Sequence, residues 1–258
     1  MPSDWATGEL VVGYARTLSL MQLLQIRFSM TANSLLTLWI DQPRLMSASG
    51  IPTLPGCGIF LYLAYGVRLA AFLFRRQASS SYQPKLKSVA EKSERMPLAA
   101  RLGITFFVAA SQALYVLPLH FASALDQTKD ELTLLSASCM ALAAAGLVLE
   151  AVADEQKLAS KEVAPSAPVM HGLYRHCRHP NYLGEIAFHI GVCGLLAPSI
   201  DSSSWSQVLL GAVSPLFMIW VMLGAAKRLD KDQAERQKGN DKYQKWVDST
   251  HSLLPKLF

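Results

Sequence analysis

Apolar residues in this chain fall in long unbroken blocks, and no other feature narrows the possible folds as much. The blocks cover residues 14–40, 56–74, 98–121, 132–153, 183–197 and 207–226. They lack the one-faced or alternating patterns of soluble helices and strands. About 20 residues are needed to cross a hydrocarbon core of about 30 Å. The fifth block is shorter and crosses only by local thinning, by burial within the protein, or as half of a tight hairpin with the sixth. Backbone polar groups in hydrocarbon must be satisfied within the segment, which selects helices. The expectation is an all-α polytopic membrane bundle of about six transmembrane helices, forming one domain over residues 1–258. A chain that is 51% hydrophobic and 17% charged is too apolar for an ordinary soluble domain.

The basic residues give the bundle a direction. Seven lie at 75–101, four between Lys157 and Arg178, and eight from Lys227 to Lys256. The alternate loops hold only Arg44 and Lys129. Under the positive-inside rule both termini and the 154–182 connection face the cytosol, in a eukaryotic cell from the endoplasmic reticulum. Basic residues placed this way are topology signals, so a bilayer and a lipophilic small molecule are expected as partners and nucleic acid is not. Residues 1–10 carry Asp4 and Glu9 and no basic residue, unlike a secretory signal. The first segment then serves as its own insertion signal. Cys57, Cys139, Cys177 and Cys193 show no CxxC spacing and read as structural thiols. Residues 75–97, with a serine run and two prolines, read as a polar loop.

One polar run stands out, GLYRHCRHPNYLGE at 172–185, between apolar blocks. Such a cluster at a membrane boundary is costly unless protein, ligand or headgroups satisfy it. Arg175 and Arg178 offer planar forks for phosphate or carboxylate. His179, Asn181 and the hydroxyls of Tyr174 and Tyr182 can orient sugar or base edges. Pro180 suits the first turn of a following helix, whose free N–H groups favour an anion. The chemistry fits an anionic cofactor in a cytosol-facing pocket, and it equally fits an interfacial loop holding lipid phosphates. Glu150, Asp154 and Lys157 share a helical face near this run, either as part of the pocket or as an ordinary i, i+3 ion pair. Glu185 and His189 are four apart and within hydrogen-bonding reach. Arg68 either snorkels to the cytosolic face or pairs with Glu150 or Asp154 across the bundle. His171, His176, Cys177 and His179 match no zinc spacing, and the arginines among them oppose a cation, so no metal is expected. Tyr243 and Trp246 in the tail either anchor an interfacial helix or lid a cofactor and stack on its base.

Together these stretches resemble the steroid 5α-reductase-like membrane proteins, relatives of sterol C14-reductases and, more distantly, of isoprenylcysteine carboxyl methyltransferases. The 172–185 run is similar to the GLYRYSRHPNYFGE-type signature. EAVADEQK at 150–157 resembles an E-x-x-x-D-x-Q-K block of an uncharacterised branch. YGVRLAAFLFRR at 65–76 resembles that branch's W-G-x-R-L-x-x-x-L-x-x-R, with Tyr65 where tryptophan is usual. The tail YQKW…LLP resembles its Y-x-x-Y…IP. The resemblance implies that residues 132–258 form the cofactor-binding half. Asp154, Arg178, His179, Asn181, Tyr182 and Glu185 would contact a dinucleotide, with Lys157 and Trp246 nearby. It implies NADPH-dependent reduction of a C=C bond in a lipid or steroid-like enone. A glutamate and a tyrosine of the N-terminal half would hold the carbonyl. Neither has a clear counterpart here; Tyr65 and Tyr115 are the candidates. The alternative that the same motif implies is an S-adenosylmethionine-dependent membrane methyltransferase, and a third is a non-enzymatic lipid-binding relative. Lys231 and Asp232 stand where the methyltransferases carry paired glutamates, which favours the reductase. FHIGVCG after Glu185 replaces a tryptophan-rich stretch, so the lipid-facing pocket differs in shape.

Overall fold

The computed structural model of the chain describes residues 54–118, 120–121, 134–196 and 205–255. The first apolar segment and most of the three connections expected on the far side of the membrane, 41–55, 122–131 with Lys129, and 198–206, lie outside them. The described residues are helical, without strands. Seven α-helices follow in order: α1 Leu54–Ala78, α2 Gln83–Glu94, α3 Leu98–Ala113, α4 Leu134–Val163, α5 Pro180–Gly194, α6 Trp205–Arg236 and α7 Asp241–Ser249.

Among the described residues, three helices are long and apolar enough to cross a membrane: Cys57–Ala78 within α1, α4, and α6. The third segment, expected to run to 121, is helical as α3 to Ala113, tightens into a 3₁₀ turn at Leu114–Val116, and is helical again at 117–118 and 120–121. Pro118 lies just beyond, and it cannot donate to the carbonyl four residues back. The fifth segment begins earlier than its apolar pattern, because Pro180 is preorganised for a first helical turn. Its 15 residues rise only about 22 Å, short of a full crossing. The expected loop at 75–97 is largely helical. α1 continues to Ala78, and α2 starts where Pro84 occupies an early position that needs no N–H donor.

α5 escapes lipid by packing closely on α4. A Cβ added at Gly184 would come 2.5 Å from the Glu150 backbone nitrogen, and one at Gly146 would come 2.5 Å from the Gly184 carbonyl oxygen. Gly191 is equally tight against Cys139 and Ala143. High numbers on one helix meet low numbers on the other, so α4 and α5 run antiparallel. Small residues let two backbones approach within the membrane, where dispersion and hydrogen bonding replace the hydrophobic drive. α1 lays Ile59, Tyr62, Tyr65, Leu69 and Phe72, one helical face, against Phe188 and Val192 of α5 and Ala143 of α4. The opposite surfaces expose Phe60, Phe74, Val148, Leu216 and Trp220. Large apolar side chains turned outward on long helices suit a lipid solvent.

α6 runs ten residues beyond the expected apolar segment, to Arg236. This carries Asp230 beneath the start of α5. α7 is capped by Asn240, whose side chain accepts from the Tyr243 N–H at 3.2 Å. Gly239, at φ 82, makes the left-handed turn that leads into it.

Candidate functional site

The polar residues named from the sequence gather in two groups where α1, α4, α5 and α6 end together. In the inner group, Glu150 and Asp154 lie one turn apart on α4 and face α1. Arg68 sits between them, 3.0 Å from Glu150 Oε1 and 3.1 Å from Asp154 Oδ2. The expected pairing across the bundle therefore involves both carboxylates. One turn earlier on α1, Tyr65 donates its hydroxyl to Glu185 Oε1 at 3.2 Å. His189, a turn beyond Glu185, is fully buried among the rings of Tyr65, Tyr115 and Phe188, with centroids 5.3–6.4 Å away. Tyr65 stacks on Phe188 at 4.4 Å. The inner group thus ends in an aromatic floor, to which both tyrosine candidates contribute.

The outer group is a brace. Arg178 grips Asp230 with two donors, Nε to Oδ1 at 3.0 Å and Nη2 to Oδ2 at 3.2 Å. Its Nη1 donates to the carbonyls of Thr250 at 2.6 Å and Val247 at 3.3 Å. His179 Nε2 lies 2.9 Å from the same Asp230 Oδ1. Burial holds the His179 pKa below its ordinary 6.5, while Asp230 pulls the other way. The neutral ring then donates its Nε2 proton to the carboxylate. Four of the five Arg178 donors are thereby engaged inside the protein. The residues read as anion ligands are, first of all, the lock that joins the signature to α6 and the tail.

The tail completes that lock. The Arg178 N–H donates to the His251 carbonyl and the His179 N–H to the Ser252 carbonyl, both at 3.0 Å, around a parallel bridge between Cys177 and His251. Trp246 is buried and donates Nε1–H to the Tyr174 carbonyl at 2.8 Å. The Tyr174 hydroxyl reaches the Ala153 carbonyl at 3.2 Å and Asn181 Oδ1 at 3.4 Å. Asn181 is thus buried against α4. At the entry to the signature, Gly172 adopts φ 59. A Cβ there would meet Gln156 Oε1 at 2.4 Å, the atom that receives the Leu173 N–H.

Between the two groups lies Tyr182, half-buried, its ring stacked on His179 at 5.4 Å. The Lys157 ammonium sits 6.0 Å from the Tyr182 ring centroid. Of the two readings of Asp154 and Lys157, the ordinary i, i+3 ion pair does not form; Lys157 turns to the ring, with Asp154 attracting it at longer range. Asp154, Lys157, His179, Asn181, Tyr182 and Glu185 therefore converge. Arg178 and Trp246 support them from behind. Arg175 is exposed and makes none of these contacts. A groove of about 420 Å³ lies farther along the seam of α1 and α4, lined by Arg75, Ser79, Glu155 and Glu162 among others, and it touches none of the residues named above. Among the described residues no cluster has metal-binding geometry. All four cysteines are free thiols.

One residue escaped sequence reasoning. Asp230 sits in a run of mixed charge, KRLDKD, where nothing sets it apart from its neighbours. Tyr174 is among the candidate hydroxyls of the signature, but its place as the post between α4, α5 and α7 depends on contacts more than 20 residues apart in sequence.

A protein-family profile described as "Protein of unknown function (DUF1295)" matches residues 29–250. No curated protein and no solved structure matches the chain.

Proposed function

The chain belongs to the DUF1295 family, which is steroid 5α-reductase-like, and on that premise we propose that it is a membrane-embedded oxidoreductase that reduces a C=C bond conjugated to a carbonyl in a lipophilic substrate, with NADPH as reductant. One observation carries the reading: the hydrogen bond from Tyr65 to Glu185, buried one turn from the Arg68 bridge between Glu150 and Asp154. A phenol held on a carboxylate, at the inner end of a polar cluster and against an aromatic floor, has the chemistry that a carbonyl and a cofactor beside it would need, and this supports the reading.

The residues present fit a nicotinamide dinucleotide. Glu185, Asp154 and Asn181 are acceptors for carboxamide and ribose donors. Lys157 and the uncapped first turn of α5 favour phosphate. When bound, the cofactor supplies a hydride for the electron-poor β-carbon. As the C=C electrons move onto the carbonyl oxygen, the Tyr65 hydroxyl turns its one proton from Glu185 to that oxygen and disperses the developing charge. Glu185 holds the phenol in place until then, and a proton drawn from solvent at the cytosolic end is added at the α-carbon to complete the reduction. The apolar rings of Tyr62, Phe188 and Tyr115 exclude water from the enolate. The bilayer delivers a substrate of this polarity directly to the bundle.

The decisive measurement is thermal stability of the detergent-purified chain with NADPH or S-adenosylmethionine at saturating concentration. A ligand at about 100 times its Kd stabilises by about 2.7 kcal/mol. Stabilisation by NADPH alone supports the reductase; stabilisation by S-adenosylmethionine alone replaces it with the methyltransferase. Tyr65→Phe should retain NADPH binding and lose at least about a hundredfold in turnover, the low end for one general-acid or oxyanion contact.

A further inference from the structure

We propose that Arg76, Tyr82 and Lys85, together with Lys157, form a phosphate-monoester site at the cytosolic rim that recognises the 2′-phosphate of the dinucleotide; this rests on the dinucleotide reading above. The three cations come from three elements: Arg76 near the end of α1, Lys85 in the first turn of α2, and Lys157 on α4. The Arg76 guanidinium lies over Tyr82 at 4.7 Å and over Phe72 at 5.5 Å. The Lys85 ammonium lies 5.7 Å from the same Tyr82 ring. Tyr82 therefore gathers two like charges on one aromatic post. Arg76 and Lys85 are also close enough to repel Lys157.

Like charges brought together are destabilising unless an anion compensates them. None of these three cations forms an ion pair with a carboxylate among the described residues, whereas their neighbour Arg75 pairs with Glu155. The Arg76 Nε–H is buried and has no acceptor. α2 buries no residue of its own, so it contributes Lys85 to the rim without sealing it. A dianion suits three cations better than a single carboxylate does. The site continues the seam outward from the inner group. Arg76 lies eight residues past Arg68 on α1, a rise of about 12 Å, and Lys157 lies one turn past Asp154 on α4. The order along that seam is aromatic floor, carboxylates, then cations. That is the order in which a dinucleotide bound nicotinamide-first would present a neutral ring, ribose hydroxyls and phosphates.

The same chemistry would suit a lipid phosphate monoester, and the test separates the two. The full-length purified chain, in phosphatidylcholine nanodiscs, is titrated calorimetrically with NADPH and NADH, and with adenosine 2′,5′-bisphosphate and 5′-AMP. The wild type should bind the 2′-phosphorylated member of each pair at least about tenfold more tightly, as expected for losing one charge-assisted contact set. Arg76→Met and Lys85→Met should each erase most of that preference and leave NADH affinity unchanged, which also shows that the variants are folded. Tyr82→Leu should act in the same direction through the lost post. Equal binding of NADPH and NADH by the wild type would overturn the site and leave the cofactor reading standing. So would variants that keep the preference or weaken both ligands alike. Nanodiscs doped with phosphatidate distinguish the lipid: if only phosphatidate binding responds to the substitutions, the assignment to the cofactor is overturned. If the wild type binds neither dinucleotide, both readings fall.

Discussion

Asp230 decides the state of the signature, one carboxylate serving three partners. It accepts from both prongs of Arg178, from His179 and from the Ser252 side chain, and it is itself only a quarter exposed. Removing it strands a largely buried guanidinium, a loss of about 2–4 kcal/mol by analogy with broken partly buried pairs. Asp230→Ala should therefore lower the unfolding midpoint clearly. Asp230→Asn, which keeps the acceptor oxygen, should lower it less. Arg178→Lys should recover little, because a point charge cannot grip one carboxylate twice and two carbonyls besides. The pH dependence follows from His179, whose pKa is lowered by burial below 6.5. Folded, it binds a proton more weakly than unfolded, so its share of stability is intact above 6.5 and is lost as pH falls from there toward the lower folded value. Thermal melts between pH 7.5 and 5 should show that fall. His179→Gln, which still donates to Asp230, should flatten it.

At the scale of elements, the pairing of α4 with α5 is the tightest seam, and its glycines are not interchangeable with other glycines of the bundle. Gly184→Ala would press a methyl against the backbone of α4 at 2.5 Å, where no side chain can swing away. A cost of about 1–3 kcal/mol is expected, with the inner carboxylates displaced as well, since Glu150 is itself the neighbour. Gly103 and Gly224 are helical glycines with nothing within 4 Å of an added Cβ. Alanine at either should stabilise by about 0.5–1 kcal/mol through helix propensity. Thermal unfolding of the four alanine variants, Gly146 included, separates seam glycines from idle ones. A Gly184→Ala variant as stable as Gly224→Ala would mean that the seam opens without cost.

Over the whole molecule, the tail closes the site by backbone pairing. Residues 247–252 accept three main-chain or side-chain donors from Arg178 and one from His179, and α7 sends Trp246 back to Tyr174. The signature and the tail must therefore lie on the same side of the membrane, and the charge pattern predicts that this side is the cytosol. A tag at the C-terminus should be accessible in vesicles that expose the cytosolic face, and one inserted beside Lys129 should be protected. Protection of the C-terminal tag would reverse the orientation.

The helical class and the membrane as solvent were determined by the apolar blocks alone, because block length and the need to satisfy backbone groups in hydrocarbon leave little choice. The membership of the inner cluster was legible too: Glu150 and Asp154 share a helical face by spacing, and Arg68 is an intramembrane charge that needs a partner. What each residue is bonded to was not. Tyr65 meets Glu185 across 120 positions, and Arg178 meets Asp230 across 52. No local pattern encodes such pairings, since they arise only when α1 packs against α5 and α6 runs on past the apolar segment to bring Asp230 beneath the signature. The sequence chose the chemistry, residue by residue, and helix packing alone decided that the signature's arginine and histidine would brace the fold while the carboxylates and tyrosines lined its interior.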